Sequence, residues 1–352
     1  MLQVAALLAD AERPLILAGH GVRLAGAART LLGQAERLQL PVATTWNALD
    51  LVPADHALNA GRPGVVALRS GNFAVQNCDL LISIGCRMDN IITAYNPQGF
   101  ARAAKKVVVD VDHNEIDKLD MDIAVEVVAD AADFLAALQD VPAASRRDPW
   151  LTRIADWQRR YPVNDGKPFA ASGPIDHYRF ASALSEVIPP GTLVATGSSG
   201  LAIEVFYTVF RNKPGQRVFL TSGLGAMGYG LPAAIGAFLA NGSKPMVLVE
   251  SDGSMQLNLQ ELATLKAQGL PICIVVMNNG GYASIRNTQR NYFAARYIGT
   301  GPEAHLLLPD LEKIAATYGL PFRRITDAAE LGPALEDILA RPQAMIVDVQ
   351  LT

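Results

Sequence analysis

Along the chain, short apolar and β-branched runs alternate with longer stretches whose apolar residues recur every three or four positions. Residues 15–18, 42–45, 80–84 and 107–111 are runs of the first kind and read as strands, with a helix over 21–38 between the first two. The alternation returns after residue 174. Helices are expected over 178–187, 255–268, 311–318 and 330–339, and strands at 192–195, 246–249, 272–277, 322–325 and 345–349. Strands that alternate with helices form parallel sheets covered on both faces. The pattern therefore predicts an α/β protein with two doubly wound parallel-sheet domains, residues 1–142 and 175–352. Residues 143–174 are rich in chain breakers around one amphipathic helix at 150–160, and read as a linker. Trp150 and Trp157, a helical seven apart, are placed to pin that helix to a domain surface.

Composition sharpens this picture little. At 352 residues the chain exceeds one ordinary core, and with 50% hydrophobic and 18% charged residues it can fill two. A net charge of -4 leaves no electrostatic footprint for nucleic acid. No apolar run reaches membrane-spanning length, and no basic segment precedes the apolar residues at the start, so a cytoplasmic location is expected. Cys78, Cys86 and Cys273 lack metal spacing and read as reduced core thiols.

Candidate chemistry concentrates in residues 245–281, one βαβ unit. Its polar residues fall in two places, Asp252-Gly253-Ser254 after the first strand and Asn278-Asn279-Gly280-Gly281 after the second, with 27 positions from Asp252 to Asn279. A right-handed crossover makes the strands parallel and brings both carboxyl ends toward one crevice. Backbone amides of Gly253 and Ser254 at a helix start suit phosphate, and carboxylate plus amide oxygens suit magnesium. An Asp helix cap followed by an Asn-Gly turn accounts for the same residues without a ligand. In the first domain Gly19-His20-Gly21 follows a strand, but Leu24 stands where the dinucleotide fingerprint needs its third glycine. Gly85, Arg87 and Asp112 also follow strands, at the edge where nucleotides bind.

The Asp-Gly and Asn-Asn block resembles the thiamine diphosphate (ThDP) signature. With Gly225-Ala226-Met227-Gly228, the chain looks like the central and C-terminal domains of the acetolactate synthase family. The resemblance implies that Asp252, Asn279 and the carbonyl of Gly281 hold Mg²⁺, and that Gly200, Gly253, Ser254 and Gly281 approach the cofactor. Met227 would lie beneath it. Ser251 stands in place of the signature's first glycine, and Leu201-Ala202 in place of the synthases' Gln-His. In flavin-containing relatives Gly19, Gly21, Gly85, Arg87 and Asp112 match the FAD contacts, while other relatives hold ADP there or nothing. Residues 282–297 match a mobile flap, with Tyr282, Ser284, Arg286 and Gln289 as candidates to touch substrate.

The activating glutamate of the family sits in a pyrimidine-binding domain that has no counterpart in these 352 residues. The resemblance thus implies a natural subunit that needs a separate pyrimidine-domain polypeptide, with a fragment or a mis-started gene product as the alternatives, an oligomeric active site and no catalytic residue assignable on this chain. The expected reaction is decarboxylation of a 2-keto acid, pyruvate first, with transfer of the two-carbon unit to a carbonyl acceptor. A decarboxylase or lyase without carboligation is the alternative, and a catalytically silent nucleotide-binding regulatory subunit is another.

Overall fold

The computed structural model describes residues 1–143, 147–197, 200–242 and 244–352. The chain divides into two units, Met1–Lys167 and Pro168–Thr352. Among the described residues no helix is long and apolar enough to cross a membrane.

The first unit holds β1 (Pro14–Ala18), β2 (Val42–Thr44), β3 (Asn59–Gly61), β4 (Leu80–Ile84), β5 (Lys105–Asp110) and β6 (Val125–Val128). They form one sheet in the order β3-β2-β1-β4-β5-β6, with every pairing parallel. The run of apolar residues in β1 reflects burial on both faces. Ile16 and Ala18 join one core with Ile82, Ile84, Val107 and Val109, whereas Leu15 and Leu17 join the other with Leu81 and Val108.

The second unit holds β7 (Leu193–Thr196), β8 (Arg217–Phe219), β9 (Met246–Ser251), β10 (Ile272–Asn278), β11 (Phe322–Ile325) and β12 (Met345–Gln350). Its order is β11-β12-β10-β9-β7-β8, again all parallel. Leu248, Ile272, Ile274, Val276 and Ile346 pack into one core with Leu231, Leu262 and Leu265.

Three expected elements differ in detail. The helix over 21–38 is two pieces, Gly21–Leu24 and Ala28–Leu38, separated where Gly26 takes φ 69°. The helix over 255–268 is a turn at Asp252–Met255, a tighter turn at Gln256–Asn258 and a helix at Glu261–Ala267. Strand β9 runs two residues further than its apolar run and so carries Glu250 inside the sheet.

The stretch expected as a linker contains a helix built into the first unit, Asp148–Arg160. Trp150 is buried in the first unit's core, its Nε1 donates to the Pro14 carbonyl at 2.9 Å, and its ring meets Trp157 edge-on at 5.8 Å. The three cysteines are free and buried, and burial pushes each thiol up to about 12.

Candidate functional site

The order of the second sheet reverses between β7 and β9, the place where open α/β sheets form a crevice beyond their carboxyl ends. Register aligns Met277 of β10 with Ser251 of β9, so the two polar loops leave the sheet side by side. Asp252 is buried there. Its Oδ2 accepts the Gly281 amide at 2.8 Å and its Oδ1 the Gly253 amide at 2.9 Å. Burial pushes the carboxyl up to about 6, against the opposing pull of the Gly281, Gly253 and Gly280 amides and of Arg286.

The loop after β10 has a shape that its neighbours impose. Asn278 Oδ1 accepts the Gly280 amide at 3.1 Å, while its Nδ2 donates to buried Asp348 at 2.9 Å, and Arg324 Nε holds the other Asp348 oxygen at 2.9 Å. Gly281 takes φ 130°, and a Cβ there would lie 2.5 Å from the Thr300 carbonyl oxygen, so both dihedral and contact require glycine. Asn279 is different. Its side-chain Oδ1 is buried and has no hydrogen-bond partner among the described residues. An orphaned amide oxygen in a loop tied to a buried carboxylate offers oxygen donors of the kind that a hard divalent cation takes.

Around this pair the backbone comes close. A Cβ on Gly253 would lie 2.5 Å from the Tyr282 ring. Ser254 Oγ accepts the Gly228 amide at 3.0 Å and Asn258 Nδ2 donates to the Gly228 carbonyl at 2.7 Å, which fixes the Met227 loop beside the Asp252 turn. Met227 itself is 40% exposed, as a wall residue rather than core filler would be. Gly200 opens the helix Leu201–Val209 with φ 90°. Ser198 and Ser199, and the side chains of Leu201 and Ala202, lie outside the described residues.

One residue of this site escaped the sequence reading. Glu250 is fully buried, and its Oε1 accepts the Ser251 amide at 2.9 Å. A Cβ on Gly197 or on Gly230 would lie 2.1 Å from its carboxylate oxygens, so the carboxyl is wedged between the β7 loop and the start of the helix Gly230–Ala240. Oε2 makes no hydrogen bond of good geometry among the described residues, and burial raises the carboxyl to about 7 against the opposing pull of the Ser251 amide, the Ser254 hydroxyl and the Gly230 amide. A charged residue closing an apolar strand, with glycines at 197 and 230, was the signal available.

Among the flap candidates, Tyr282 covers Gly253 and Ser284 is half-buried in the first turn of the helix Ala283–Tyr292. Arg286 and Gln289 are engaged within the chain. Arg286 donates to the carbonyls of Asn279, Gly280 and Thr300, and Gln289 bonds both the amide and the carbonyl of Ile298.

Of the first unit's candidates, Gly19, Gly21 and Gly85 meet at the β1/β4 switch point and pack on one another. Gly21 N donates to the Gly85 carbonyl at 2.9 Å, and a Cβ on Gly19 would lie 2.0 Å from that oxygen. Arg87 pairs with Glu115 at 3.3 Å, and Asp112 caps the helix His113–Asp117 by accepting the Asn114 amide at 2.9 Å.

Comparison with known proteins bears on the family of both units. Residues 1–138 match the central domain of thiamine pyrophosphate enzymes, and residues 195–349 their C-terminal TPP binding domain. The large subunit of acetolactate synthase isozyme 1 from Escherichia coli is 33% identical over 99% of this chain and 60% of its own length. A probable acetolactate synthase large subunit from Methanocaldococcus jannaschii is 32% identical over 99% of this chain and 59% of its own. The acetolactate synthase large subunit of Corynebacterium glutamicum is 32% identical over 95% and 54% respectively. The chain thus spans no more than about 60% of the length of these curated relatives.

Proposed function

The chain belongs to the thiamine pyrophosphate enzyme family, and from that premise we propose that it is the diphosphate- and Mg²⁺-binding part of an acetolactate synthase-like carboligase. Its donor would be a 2-keto acid, pyruvate first, and its acceptor a second carbonyl compound. The single observation that carries the metal assignment is the orphaned, buried Oδ1 of Asn279 in a loop held by buried Asp252. Asp252, Asn279 and the Gly281 carbonyl would hold the cation. The Ser254 amide, with the Gly200 turn, would receive the diphosphate, while Gly253, whose own amide turns to Asp252, would let the backbone approach it. When bound, ThDP supplies a nucleophilic carbon and an electron sink for decarboxylation.

The chain's own residues bind and orient. Asp252 would ligate as the carboxylate, and since burial raises its carboxyl to about 6 without metal, acid pH would compete with the cation. Met227 offers an apolar wall beside the Asp252 turn, kept in place by Ser254 and Asn258. The activating glutamate would come from a pyrimidine-binding domain, which is not among these 352 residues, so union with such a domain, on the same or another polypeptide, is part of the proposal, as is a cytoplasmic setting. The first unit enters as scaffold. There Gly19, Gly21 and Gly85 pack on one another and Arg87 and Asp112 bond within the chain, and FAD held at these residues is the alternative reading.

A second reading, decarboxylation without carboligation, draws on Leu201-Ala202, where the synthases carry two polar groups. Product analysis with pyruvate and candidate acceptors separates the two, since only carboligation consumes the second carbonyl compound. The silent-subunit reading has less support because Asp252 and Asn279 are both in place.

The metal assignment is tested on the purified chain by Mn²⁺ titration followed by EPR, with ThDP present. Outer partners of a metal ligand typically contribute 10- to 100-fold, so Asp252→Ala should weaken Mn²⁺ by about 100-fold or more and abolish ThDP retention. Equal binding by wild type and variant would end the metal assignment.

A further inference from the structure

Arg286 projects from the first turn of the helix Ala283–Tyr292 back onto the metal loop. Its Nη2 donates to the Asn279 carbonyl at 2.6 Å, and its Nη1 to the Gly280 and Thr300 carbonyls, each at 3.0 Å. Thr300 is 1% exposed, and its carbonyl also accepts the Tyr282 amide at 2.9 Å while abutting Gly281. Glu303 lies 4.0 Å from Arg286 Nε and supplies a countercharge on the side away from the carbonyls. Gln289, one helical turn further on, ties down Ile298 through both backbone groups. The loop, the helix and the returning segment at 298–301 are therefore one hydrogen-bonded unit with a guanidinium at its centre.

From this geometry we infer that Arg286 is a positioning residue: it fixes the Asn279–Gly281 loop in its metal-binding shape and couples that loop to the helix Ala283–Tyr292. The inference rests on the metal assignment proposed above and deepens it. Three carbonyls around one planar fork define a donor geometry that only arginine provides, since lysine presents a single compact charge. With the main-chain carbonyls of Asn279 and Gly280 drawn to the guanidinium, the loop keeps its Asn279 side-chain oxygen and its Gly281 carbonyl for the cation. A substrate carboxylate could take the guanidinium only by releasing the loop. Coupling runs both ways, so metal binding should order the helix as the helix orders the metal site.

The test compares wild type, Arg286→Met and Arg286→Lys in two measurements. One is Mn²⁺ affinity by EPR with ThDP present. The other is hydrogen exchange of peptides covering residues 279–303, with and without Mn²⁺ and ThDP. Wild type should show slower exchange over 283–300 when the metal binds. Arg286→Met should weaken Mn²⁺ by about tenfold or more, the size expected of an outer partner, and lose the metal-dependent protection. Arg286→Lys should fall between. In metal-free protein, Arg286→Met should exchange faster over 279–303 and like wild type elsewhere, a pattern that general destabilisation would not give.

Mn²⁺ affinity of Arg286→Met within about twofold of wild type, a margin well under the outer-partner range, would overturn the coupling. If wild type binds neither Mn²⁺ nor ThDP, the functional reading fails instead. The metal-free exchange still judges the grip in that case, and unchanged exchange over 279–303 would overturn it.

Discussion

The two sheets have their switch points built on one plan and finished differently. At the first, Gly19 N donates to the Ile84 carbonyl at 2.9 Å; at the second, Gly197 N donates to the Val249 carbonyl at 2.8 Å. The residue that follows sets them apart. After Ile84 comes Gly85, whose carbonyl fills the space that a Cβ on Gly19 would need. After Val249 comes Glu250, whose carboxylate fills the corresponding space at Gly197. The first crevice is closed by backbone against backbone, and Arg87 and Asp112 bond within the chain, while buried Ser83 Oγ of β4 makes no hydrogen bond of good geometry among the described residues. The second leaves Asn279 Oδ1 buried without a partner among the described residues, and Glu250 Oε2 buried with no bond of good geometry though the Ser254 hydroxyl and Gly230 amide act on its carboxylate. A shared architecture therefore says little about ligand demand, and unsatisfied buried polar atoms say much more.

The largest effect should come from breaking that closure. Gly19→Ala drives a methyl into backbone that cannot turn aside, and should destabilise the first unit by about 3 kcal/mol, the upper end for overpacking. Gly197→Ala meets a side chain instead. It should be damaging alone and rescued in part by Glu250→Ala, with a coupling of about 1 kcal/mol or more in urea unfolding. Strictly additive effects of the 197 and 250 substitutions would show that the carboxyl is not the wedge.

The two edges should also respond to pH in opposite senses. Glu250 and Asp252 are raised by burial from 4.5 to about 7 and from 3.8 to about 6. The folded second unit then holds protons that the unfolded chain has released. Stability from these groups is fully present below about pH 4 and is lost as pH rises through about 7. Arg286, near Asp252, is the charged neighbour opposing the shift. In the first unit Glu115 is held below its ordinary value by Lys118 first and then Arg87, so its contribution fades as pH falls. Metal-free protein in EDTA should lose on the order of 2 kcal/mol in the second unit between pH 5 and pH 8. Glu250→Gln should flatten the upper part of that slope. A second unit whose urea midpoint rises with pH would contradict the burial argument.

How much of this was legible follows from what makes each feature. Strands β1, β4, β9 and β10 are buried on both faces and so appear as continuous apolar runs. The edge strands Asn59–Gly61 and Arg217–Phe219 have three residues each, and Val125–Val128 shows half-buried and exposed positions in turn, so no run marks them. Asp252 and Asn279 could be paired from sequence because a crossover of that length fixes the distance between two parallel strand ends. Glu250 could not, since its partners Gly197 and Gly230 are remote in sequence and each is one glycine among 29. Asp348 and Arg324 steady Asn278 from other strands, and local spacing carries no trace of that. Arg286 was visible as a cation near the site, but its partners are main-chain carbonyls, which have no sequence signature.

The smallest effect is the most pointed about the first edge. Arg87 and Glu115 form a surface pair at 3.3 Å with side-chain exposures of 64% and 26%, and Lys118 keeps Glu115 paired when Arg87 is removed. An exposed pair with a second cation in place is worth little, so Arg87→Ala should change stability by less than about 0.5 kcal/mol. It should leave Mn²⁺ and ThDP binding unchanged, because the metal loop and its supports belong entirely to the second unit. Those results would fit an edge that is complete in itself. If wild type instead purifies with flavin absorbance and Arg87→Ala loses it, then Arg87 exchanges Glu115 for a ligand phosphate. In that event partners seen within the chain are no guide to an idle edge, and the contrast between the two sheets would have to rest on the Asn279 amide oxygen beside buried Asp252.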